Sequence, residues 1–177
     1  NDWLVPHVHF AEHYEINDLG VLDQVVGIGA EWGADCVSLT RTRSILEAVE
    51  RYGLKDAKAV QYPITDDADL RKAETCDKSL KFPNLIGEFR YDERACRPDI
   101  SLFLAKMSPY CANYDDKHME KLLKGLRYMK GTADMPLILS KNPMLEGKFH
   151  LTLFTDSTWA DCRETKRSMS GWVVFLN

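Results

Sequence analysis

The carboxylates that could bind a metal ion in this chain occupy two kinds of position. Asp156 follows an apolar alternation of Phe149, Leu151 and Leu153, which predicts a β-strand that carries one carboxylate toward its end. Two adjacent aspartate pairs, at positions 66–67 and 115–116, do not lie between apolar strands, and the second fits a helix start. Hydrolysis by two metal ions needs several converging carboxylates that hold the ions about 4 Å apart. Asp156 is therefore the strongest single candidate, and a solvated aspartate at a strand end is the alternative.

A second set of residues could contact phosphates. Residues 116–130 carry apolar side chains at helical spacing, which predicts an amphipathic helix that ends at Gly131. The basic residues of its other face are Lys121, Lys124, Arg127 and Lys130. Cations at this spacing can follow a nucleic-acid backbone, although a solvated helix face is the more frequent reason for such a stripe. The formal net charge of −4 counts mildly against a chain that binds a duplex by itself.

The cysteines and histidines form no recognisable metal or redox motif. The 5 cysteines have no C-x-x-C spacing and cannot all pair, which argues against a zinc site and a disulfide framework. His118 lacks a second ligand at zinc spacing, and we interpret it as a surface histidine. A reducing, intracellular location follows, in a cytoplasmic particle or the nucleus and not secreted. No apolar run approaches the roughly 20 residues of a membrane helix, so no membrane partner is expected.

The elements that would position these residues begin with a β-hairpin. Two apolar or β-branched runs, residues 25–31 and 36–40, flank a turn in which Gly33 can supply a positive φ angle. A helix follows, with capping-box spacing at Ser44 and Glu47 and with Gly53 placed to end it. Its apolar stripe comprises Ile45, Leu46, Val49 and Tyr52. Residues 55–78, rich in Lys, Asp and Ala, indicate an extended connection across a surface.

The second half of the chain predicts more helices and a second hairpin. Phe82 and Pro83 open one helix, and another begins at Pro98 and is limited by Pro109. Residues 137–139 suggest a short strand, and residues 169–176 give the return strand for the one that carries Asp156. The order of hairpin, helical middle and hairpin predicts an α+β fold and not a regular βαβ alternation.

Six short motifs, which serve as landmarks, occur in one order along the chain and match the pattern of one known family. Residues 14–20 read YEINDLG where that family has F-x-M-x-D-L-G, and residues 25–28 read VVGI for F-L-G-I. Residues 37–40 and 45–54 read VSLT and ILEAVERYGL for I-S-L-S-Q and I-L-E-R-F-G-M. In the family's frame this helix would start earlier than Ser44, near Thr40. Residues 97–100 read RPDI, and residues 126–132 read LRYMKGT for L-R-Y-L-K-G-T. Residues 156–161 and 166–176 read DSTWAD and KRSMSGWVVFL for D-x-D-W-A-G and R-K-S-T-S-G-Y-x-F-x-L.

With these six landmarks the chain resembles the copia-type retrotransposon Pol polyprotein, and the resemblance implies a fragment made of four parts. Residues 1–54 correspond to the end of the polymerase palm with its hairpin and a first thumb-like helix, and residues 55–80 to an extended connection. Residues 81–147 correspond to a helical thumb or connection, and residues 148–177 to the first hairpin of an incomplete ribonuclease H-like domain. The parent would be an RNA-directed DNA polymerase with ribonuclease H activity that depends on Mg²⁺. Its partner would be an RNA–DNA hybrid or a primer–template, and no Mg²⁺ is expected to bind this chain tightly.

The resemblance also implies roles for single residues. It places Asp156 at the first carboxylate of the ribonuclease H site. It places residues 25–28 at the primer grip, a hairpin whose backbone steers the 3′ end of the primer, where Gly27 would permit close approach of a sugar-phosphate backbone. The alternative is that Gly27 and Gly29 mark a bulge in an edge strand. The basic stripe of residues 121–130 would follow the hybrid.

Three departures from the family pattern limit the expected activity. The chain has no Y-V-D-D turn to carry the polymerase aspartates, and Thr158 replaces the second aspartate of D-x-D-W. Residues 88–96 are charged where the family has S-L-M-Y-L-A-V-T-T. This indicates a decayed copy or a helix shifted to the surface, with its charged side chains exposed or mutually paired. These side chains are Arg90, Asp92, Glu93 and Arg94. We therefore expect a fragment that is inactive alone; the alternative is a retrotransposon-derived binding or interaction module without catalysis.

Overall fold

A computed structural model of the protein describes residues 12–15, 17, 20–63, 70–74, 76–140, 150–160 and 166–176. The strands are β1 (Gln24–Val25), β2 (Ile28–Trp32), β3 (Cys36–Thr40), β4 (Leu137–Ser140), β5 (Leu151–Thr158) and β6 (Met169–Leu176). The helices are α1 (Thr42–Arg51), α2 (Phe82–Ala95), α3 (Ser101–Met107) and α4 (Asp116–Gly131). Short 3₁₀ turns lie at Lys78–Leu80, Pro98–Ile100 and Ser108–Tyr110. The predicted α+β class is confirmed.

β1 and β2 are joined by a tight turn within the segment predicted as one strand. Val25 pairs with Ile28, so the loop consists of Val26 and Gly27. Their φ angles are 48° and 73°, and two central residues with positive φ are typical of a type I′ turn. The prediction of one strand over residues 25–31 is therefore wrong, because the chain reverses direction at these two residues. A β-branched residue at positive φ is unusual, so Val26 gave no turn signal.

β2 and β3 form the predicted hairpin, with Gly29 opposite Thr40. Gly33 does not have the positive φ that was expected. A glycine is needed at this position because a side chain would collide with Cys36. A Cβ atom at Gly33 would lie 2.8 Å from Cys36 Sγ, and the Gly33 N–H donates to the Cys36 carbonyl over 2.8 Å. The small residue therefore lets the connection pass closely over the start of β3.

The predicted strand near residues 137–139 is confirmed as β4, and its partner is β3. The sheet order is β1-β2-β3-β4, and each neighbouring pair is antiparallel. β4 thus extends the N-terminal hairpin across the whole helical middle of the sequence. Local patterns do not specify such a long-range pairing, because each strand is compatible with several partners.

α1 begins earlier than the capping-box spacing predicted. The Ile45 N–H donates to the Arg41 carbonyl over 3.0 Å, so the first helical turn starts at Arg41. The Thr42 hydroxyl donates to the Ala133 carbonyl at the end of α4. Glu47 accepts instead from Arg43 Nε over 2.9 Å, one turn away. The capping box at Ser44 and Glu47 is therefore wrong, because the helix begins three residues upstream, where Thr42 makes a tertiary contact.

One hydrophobic core joins the helices. Leu122 and Leu126 of α4 are fully buried, and Leu123 packs half-buried against the same core. Between them, Gly125 faces α3, where a Cβ atom would lie 2.3 Å from a ring carbon of Phe103. α4 therefore packs against α3 in this core. Among the described residues, no helix combines the length and the apolar character needed to cross a bilayer.

α2 lies in this core and is not shifted to the surface. Phe82, Leu85, Ile86 and Phe89 are buried along one side of the helix, and Asp92 is buried with them. Arg90 pairs with Glu93 over 3.0 Å and Arg94 is exposed, as expected. The expectation fails for Asp92, which is buried and pairs with Arg41 outside the segment. The expectation of a surface-shifted helix is wrong, because four apolar side chains at helical spacing outweigh the charges between them.

β5 and β6 form the predicted C-terminal hairpin, in which Asp156 lies opposite Gly171. Alternation along the strands places Leu153 and Val174 on one face, and Phe154 and Val173 on the other. All four of these side chains are more than two-fifths exposed. The hairpin therefore presents apolar side chains on both faces.

Candidate nucleic-acid interface and carboxylate

The Val26–Gly27 turn is attached to the body of the protein through its two carbonyl groups. Tyr91 Oη, on α2, donates to the Val26 carbonyl over 2.8 Å. Arg41 Nη1, just before α1, donates to the Gly27 carbonyl over 2.8 Å. The Arg41 guanidinium also lies over the Tyr91 ring, 4.6 Å from its centroid. Two donors from different parts of the chain thus hold two successive carbonyls of one turn.

Asp92 holds Arg41 in this position. Arg41 Nε donates to Asp92 Oδ1 over 2.8 Å, and the two side chains are 11% and 8% exposed. Burial raises the pKa of the Asp92 carboxyl, and the hydrogen bond and charge of Arg41 act in the opposite direction. An unpaired charge at this depth would be strongly unfavourable. The ion pair therefore fixes the guanidinium that reaches the turn.

The direction of the Gly27 N–H follows from these bonds. The described part of the chain contains no cis peptide bond. In a trans peptide the N–H points opposite to the C=O of the same plane. The Val26 carbonyl points at Tyr91, so the Gly27 N–H points away from α2. Val26 itself is 74% exposed. The turn therefore directs one backbone donor away from α2, beside the exposed Val26, while Gly27 itself is half-buried.

The structure also explains why position 27 is a glycine. Its φ of 73° favours glycine, and an added Cβ would lie 2.5 Å from Arg41 Nη1. The guanidinium of Arg41 fills this side of the turn. The bulge alternative is wrong, because the β1–β2 and β2–β3 registers are regular through Gly29.

Two cations of the predicted basic stripe bind backbone carbonyls of the connection after α1. Lys130 Nζ donates to the carbonyls of Leu54 and Ala57 over 3.2 and 2.8 Å, and to that of Lys55. Arg127 Nε donates to the Lys58 carbonyl over 2.7 Å. An ammonium group has three donors, so these carbonyls account for all of the donors of Lys130.

The other two cations of the stripe, Lys121 and Lys124, are half-buried and each has an interaction of its own. They lie on α4 nearer to its N-terminus than Arg127 and Lys130 do. Their positions on one helix are as predicted. The phosphate-binding role of the four residues stays a prediction.

A buried network around Arg97 was not predicted from the sequence. Arg97 is 1% exposed and donates to Asp99 through Nε and Nη2, over 2.9 and 2.8 Å. It also donates to the carbonyl and hydroxyl of Thr132, and Tyr128 Oη donates to Asp99 Oδ2 over 2.8 Å. Burial alone would raise the pKa of Asp99, but the hydrogen bonds and charge of Arg97 hold it below the ordinary value. The signal was present, because Arg97–Asp99 and Tyr128–Thr132 belong to two of the six landmarks.

Asp156 lies where the sequence placed it, near the end of β5 and exposed. Its Oδ1 accepts the N–H of Ser157 over 2.8 Å. Within the described ranges, no group of three or more His, Cys, Asp or Glu side chains is placed to hold a metal ion. A two-metal centre needs several converging carboxylates. The described residues therefore do not by themselves fit a two-metal site at Asp156.

His118 is buried, which corrects its interpretation as a surface residue. It is 1% exposed and lies against the rings of Phe82 and Tyr110, with centroids 6.3 and 4.5 Å away. Its Nδ1 is 2.6 Å from Asp115 Oδ1, and Asp115 caps α4 by accepting from the N–H groups of Lys117 and His118. The hydrogen bond with His118 lowers the pKa of Asp115. Position 115 thus has the predicted helix-start role, whereas positions 66–67 lie outside the described residues.

The described cysteines Cys36, Cys76, Cys96 and Cys111 are free thiols. Cys162 lies outside the described residues. Burial raises the pKa of the Cys96 and Cys111 thiols, which favours the unreactive protonated form. The thiols of Cys96 and Cys111 therefore do not fit the role of a nucleophile.

Homologues over most of the chain are retrovirus-related Pol polyproteins from copia-type transposons. The chain is 24% identical over 170 residues to that of transposon RE1 of Arabidopsis thaliana. It is 25% identical over 175 residues to that of transposon TNT 1-94 of Nicotiana tabacum. It is also 29% identical over 170 residues to an uncharacterized mitochondrial protein of Arabidopsis thaliana. The resemblance inferred from the six landmarks is therefore confirmed.

The chain is shorter than these relatives. The alignments cover 95% and 92% of the chain but 11% and 13% of the two polyproteins. The alignment with the mitochondrial protein covers 92% of the chain and 66% of that protein. No protein-family model and no solved structure matches the chain.

Proposed function

We propose that the chain is a segment of a copia-type Pol polyprotein that runs from the end of the RNA-directed DNA polymerase into the start of ribonuclease H. β1–β3 and α1 then form the palm end and the first thumb-like helix, and α2–α4 form the thumb or connection. β5 and β6 are the opening hairpin of ribonuclease H. The order of the landmarks and the relatives named above support this assignment. The parent enzyme would act inside the cell.

In this proposal the Val26–Gly27 turn contacts a nucleic-acid strand. The observation that carries it is the Gly27 N–H, which points outward from a turn whose carbonyls are both held by the protein. A backbone N–H in an exposed turn can donate to a phosphate oxygen, as backbone donors do in many protein–DNA interfaces. Lys121 and Lys124, nearer the N-terminus of α4, would add phosphate contacts from that helix.

Asp156 contributes one carboxylate to the ribonuclease H site in this proposal. Mg²⁺ held by several carboxylates would activate water and stabilise the leaving oxygen in the complete enzyme. Asp156 lies on an exposed strand, where it can meet acidic residues from other elements. We expect the segment alone to have neither ribonuclease H activity nor DNA polymerase activity.

The test of the nucleic-acid contact is a titration of the chain against a labelled DNA primer on an RNA template with a recessed 3′ end, followed by fluorescence anisotropy. We expect weak binding, with Kd on the order of 10⁻⁴ to 10⁻⁶ M, that weakens as salt rises. Gly27→Ala should lower the affinity, because it displaces Arg41 and strains the turn. Gly87→Ala is the matched control, since a Cβ there meets no atom within 4 Å.

A second pair of variants tests the cations. Lys121→Gln with Lys124→Gln should reduce both the affinity and its salt dependence, whereas the exposed Lys78→Gln should change neither. Failure of the wild-type chain to bind the primer–template at low salt would refute the proposed contact. Equal loss of affinity in Gly27→Ala and Gly87→Ala would also refute it.

A non-catalytic module is the second candidate. It is favoured by the mitochondrial relative, of which the chain covers 66%, because related sequences also occur in a protein much shorter than a Pol polyprotein. The two candidates are separated by the flanking reading frame of the source gene. A Y-V-D-D turn upstream and further carboxylates downstream indicate an element, whereas native start and stop signals at these ends indicate a module.

A further inference from the structure

We infer that Tyr91, together with the Arg41–Asp92 ion pair, positions the Val26–Gly27 peptide so that its N–H is presented to a phosphate. The inference rests on the proposed function of the turn. Tyr91 donates a hydrogen bond to the Val26 carbonyl, and Arg41 donates one to the Gly27 carbonyl. Asp92 accepts a hydrogen bond from Arg41. All three are positioning residues, because none of them would itself touch the nucleic acid.

The turn needs such support because Val26 is in an unfavourable conformation. Its φ of 48° is in the left-handed region, which β-branched residues rarely adopt. A relaxed alternative exists for the same two residues. A type I turn, the mirror image of the observed one, has negative φ at both central residues, so Val26 would leave the left-handed region. The exchange would rotate the peptide between them and redirect the Gly27 N–H.

The observed hydrogen bonds favour the strained form. The Tyr91 hydroxyl binds the Val26 carbonyl, which belongs to the peptide that would rotate. Arg41 binds the next carbonyl, and its guanidinium is held by the buried Asp92 carboxylate and by the face of the Tyr91 ring. Loss of the Tyr91 hydroxyl removes the bond that opposes rotation directly. Loss of the Asp92 charge frees Arg41 and removes the second bond.

The φ angle of Val26 can be measured in solution on the isotope-labelled chain. The intraresidue NOE between the amide proton and Hα is strong at positive φ and weak at negative φ, because the two protons approach only in the left-handed region. We expect a strong Val26 NOE in the wild-type chain. Tyr91→Phe should reduce it, and Asp92→Asn should do the same.

Two control variants make the same kinds of chemical change at positions away from the turn. Tyr110→Phe removes a tyrosine hydroxyl that donates to the Leu70 carbonyl over 3.3 Å. Glu88→Gln removes an α2 carboxylate that pairs with Arg51 over 2.6 Å. Both should leave the Val26 NOE unchanged. An unchanged Val26 NOE in both Tyr91→Phe and Asp92→Asn would overturn the inference. If Asp92→Asn does not fold, an unchanged NOE in the conservative variant Tyr91→Phe is enough to overturn it.

The same variants are then titrated with the primer–template. Tyr91→Phe should weaken binding roughly two- to tenfold, as expected for a contact that depends on one hydrogen bond. A lost NOE with unchanged affinity would overturn the link between turn conformation and phosphate binding. If the wild-type chain does not bind the primer–template, the proposed function fails and so does this link. The NOE then decides separately whether Tyr91 and Asp92 set the conformation of the turn.

Discussion

Asp92 and Arg41 are two charged residues at positions where the family pattern has Leu and Gln. Position 92 is the Leu after Tyr in S-L-M-Y-L-A-V-T-T, and position 41 is the Gln that ends I-S-L-S-Q. The two departures meet in the structure, with Arg41 Nε 2.8 Å from Asp92 Oδ1. A charge introduced into the core is thus matched by an opposite charge at hydrogen-bond distance. Residues 88–96 are therefore compatible with an ordered fold. Their charges give little support to the interpretation of the chain as a decayed copy.

The ion pair predicts that substitutions of Asp92 and Arg41 have non-additive effects on the free energy of unfolding. Asp92→Leu should reduce the free energy of unfolding by roughly 3–5 kcal/mol, because it leaves the buried Arg41 without its partner. Adding Arg41→Gln should recover a large part of that loss. Urea denaturation of the single and double variants measures these effects. Glu88→Gln, which breaks a more exposed ion pair of the same helix, should cost at most about 1 kcal/mol. Additive losses in the double variant would contradict compensation.

Asp99 predicts the acid side of the stability profile. Its pKa in the folded protein is below the ordinary value, despite burial, because of Arg97 and Tyr128. Its stabilisation is therefore present above the unfolded pKa of about 3.9 and is lost as pH falls through the lower folded pKa. Urea unfolding between pH 7 and pH 2 should show a smaller acid-side loss in Asp99→Asn than in the wild type. The exposed Asp56→Asn should keep the wild-type slope; equal slopes in all three proteins would contradict the assignment.

At the scale of elements, α4 has two structural faces. Its apolar face enters the core, and its basic face holds the connection after α1 through Arg127 and Lys130. Gly131 adds to this contact, because a Cβ there would lie 2.7 Å from Ala59 Cβ. The landmark at residues 126–132 is thus explained by fold stability. The contacts of a basic stripe within the protein must therefore be known before the stripe is interpreted as a phosphate-binding surface.

Two glycines in helices predict opposite responses to the same substitution. Gly125→Ala should destabilise the protein by roughly 1–3 kcal/mol, because the new methyl would lie 2.3 Å from the Phe103 ring in a packed core. Gly87→Ala should stabilise it by about 0.5–1 kcal/mol, because α2 gains helix propensity and the methyl meets no atom within 4 Å. Thermal and urea unfolding measure both. A destabilising Gly87→Ala or a neutral Gly125→Ala would contradict the packing described.

Periodicity was sufficient to predict the helices and not their surroundings. The stripe of α4 and the apolar positions of α2 identified buried faces, because burial requires apolar residues at helical spacing. The turn at Val26 could not be predicted, since its conformation depends on Tyr91 and Arg41, which are distant in sequence. His118 was misplaced for a related reason: its burial depends on the rings of Phe82 and Tyr110. Of the candidate site, the sequence located Gly27 and Asp156 but not the groups around them.

At the scale of the whole molecule, the described chain has one buried core and one hairpin with apolar residues on both faces. The core cluster is drawn from residues 45–133. β5 and β6 instead expose large side chains such as Trp172, which is 75% exposed. A strand pair with two apolar faces is typical of a sheet that is covered on both sides. This supports the proposal that β5 and β6 open a domain to which further elements contribute.

The proposed incompleteness of that domain leads to a prediction about activity. We expect the 177-residue chain to show neither cleavage of an RNA–DNA hybrid nor primer extension in Mg²⁺, because a two-metal site needs several converging carboxylates and the described residues place no group of three metal-binding side chains together. A chain extended through the rest of the domain should cleave the hybrid if it supplies the further carboxylates. Asp156→Asn should then abolish cleavage, whereas Asp134→Asn should not. Mg²⁺-dependent cleavage by the 177-residue chain that Asp156→Asn removes would show that this segment assembles a complete site.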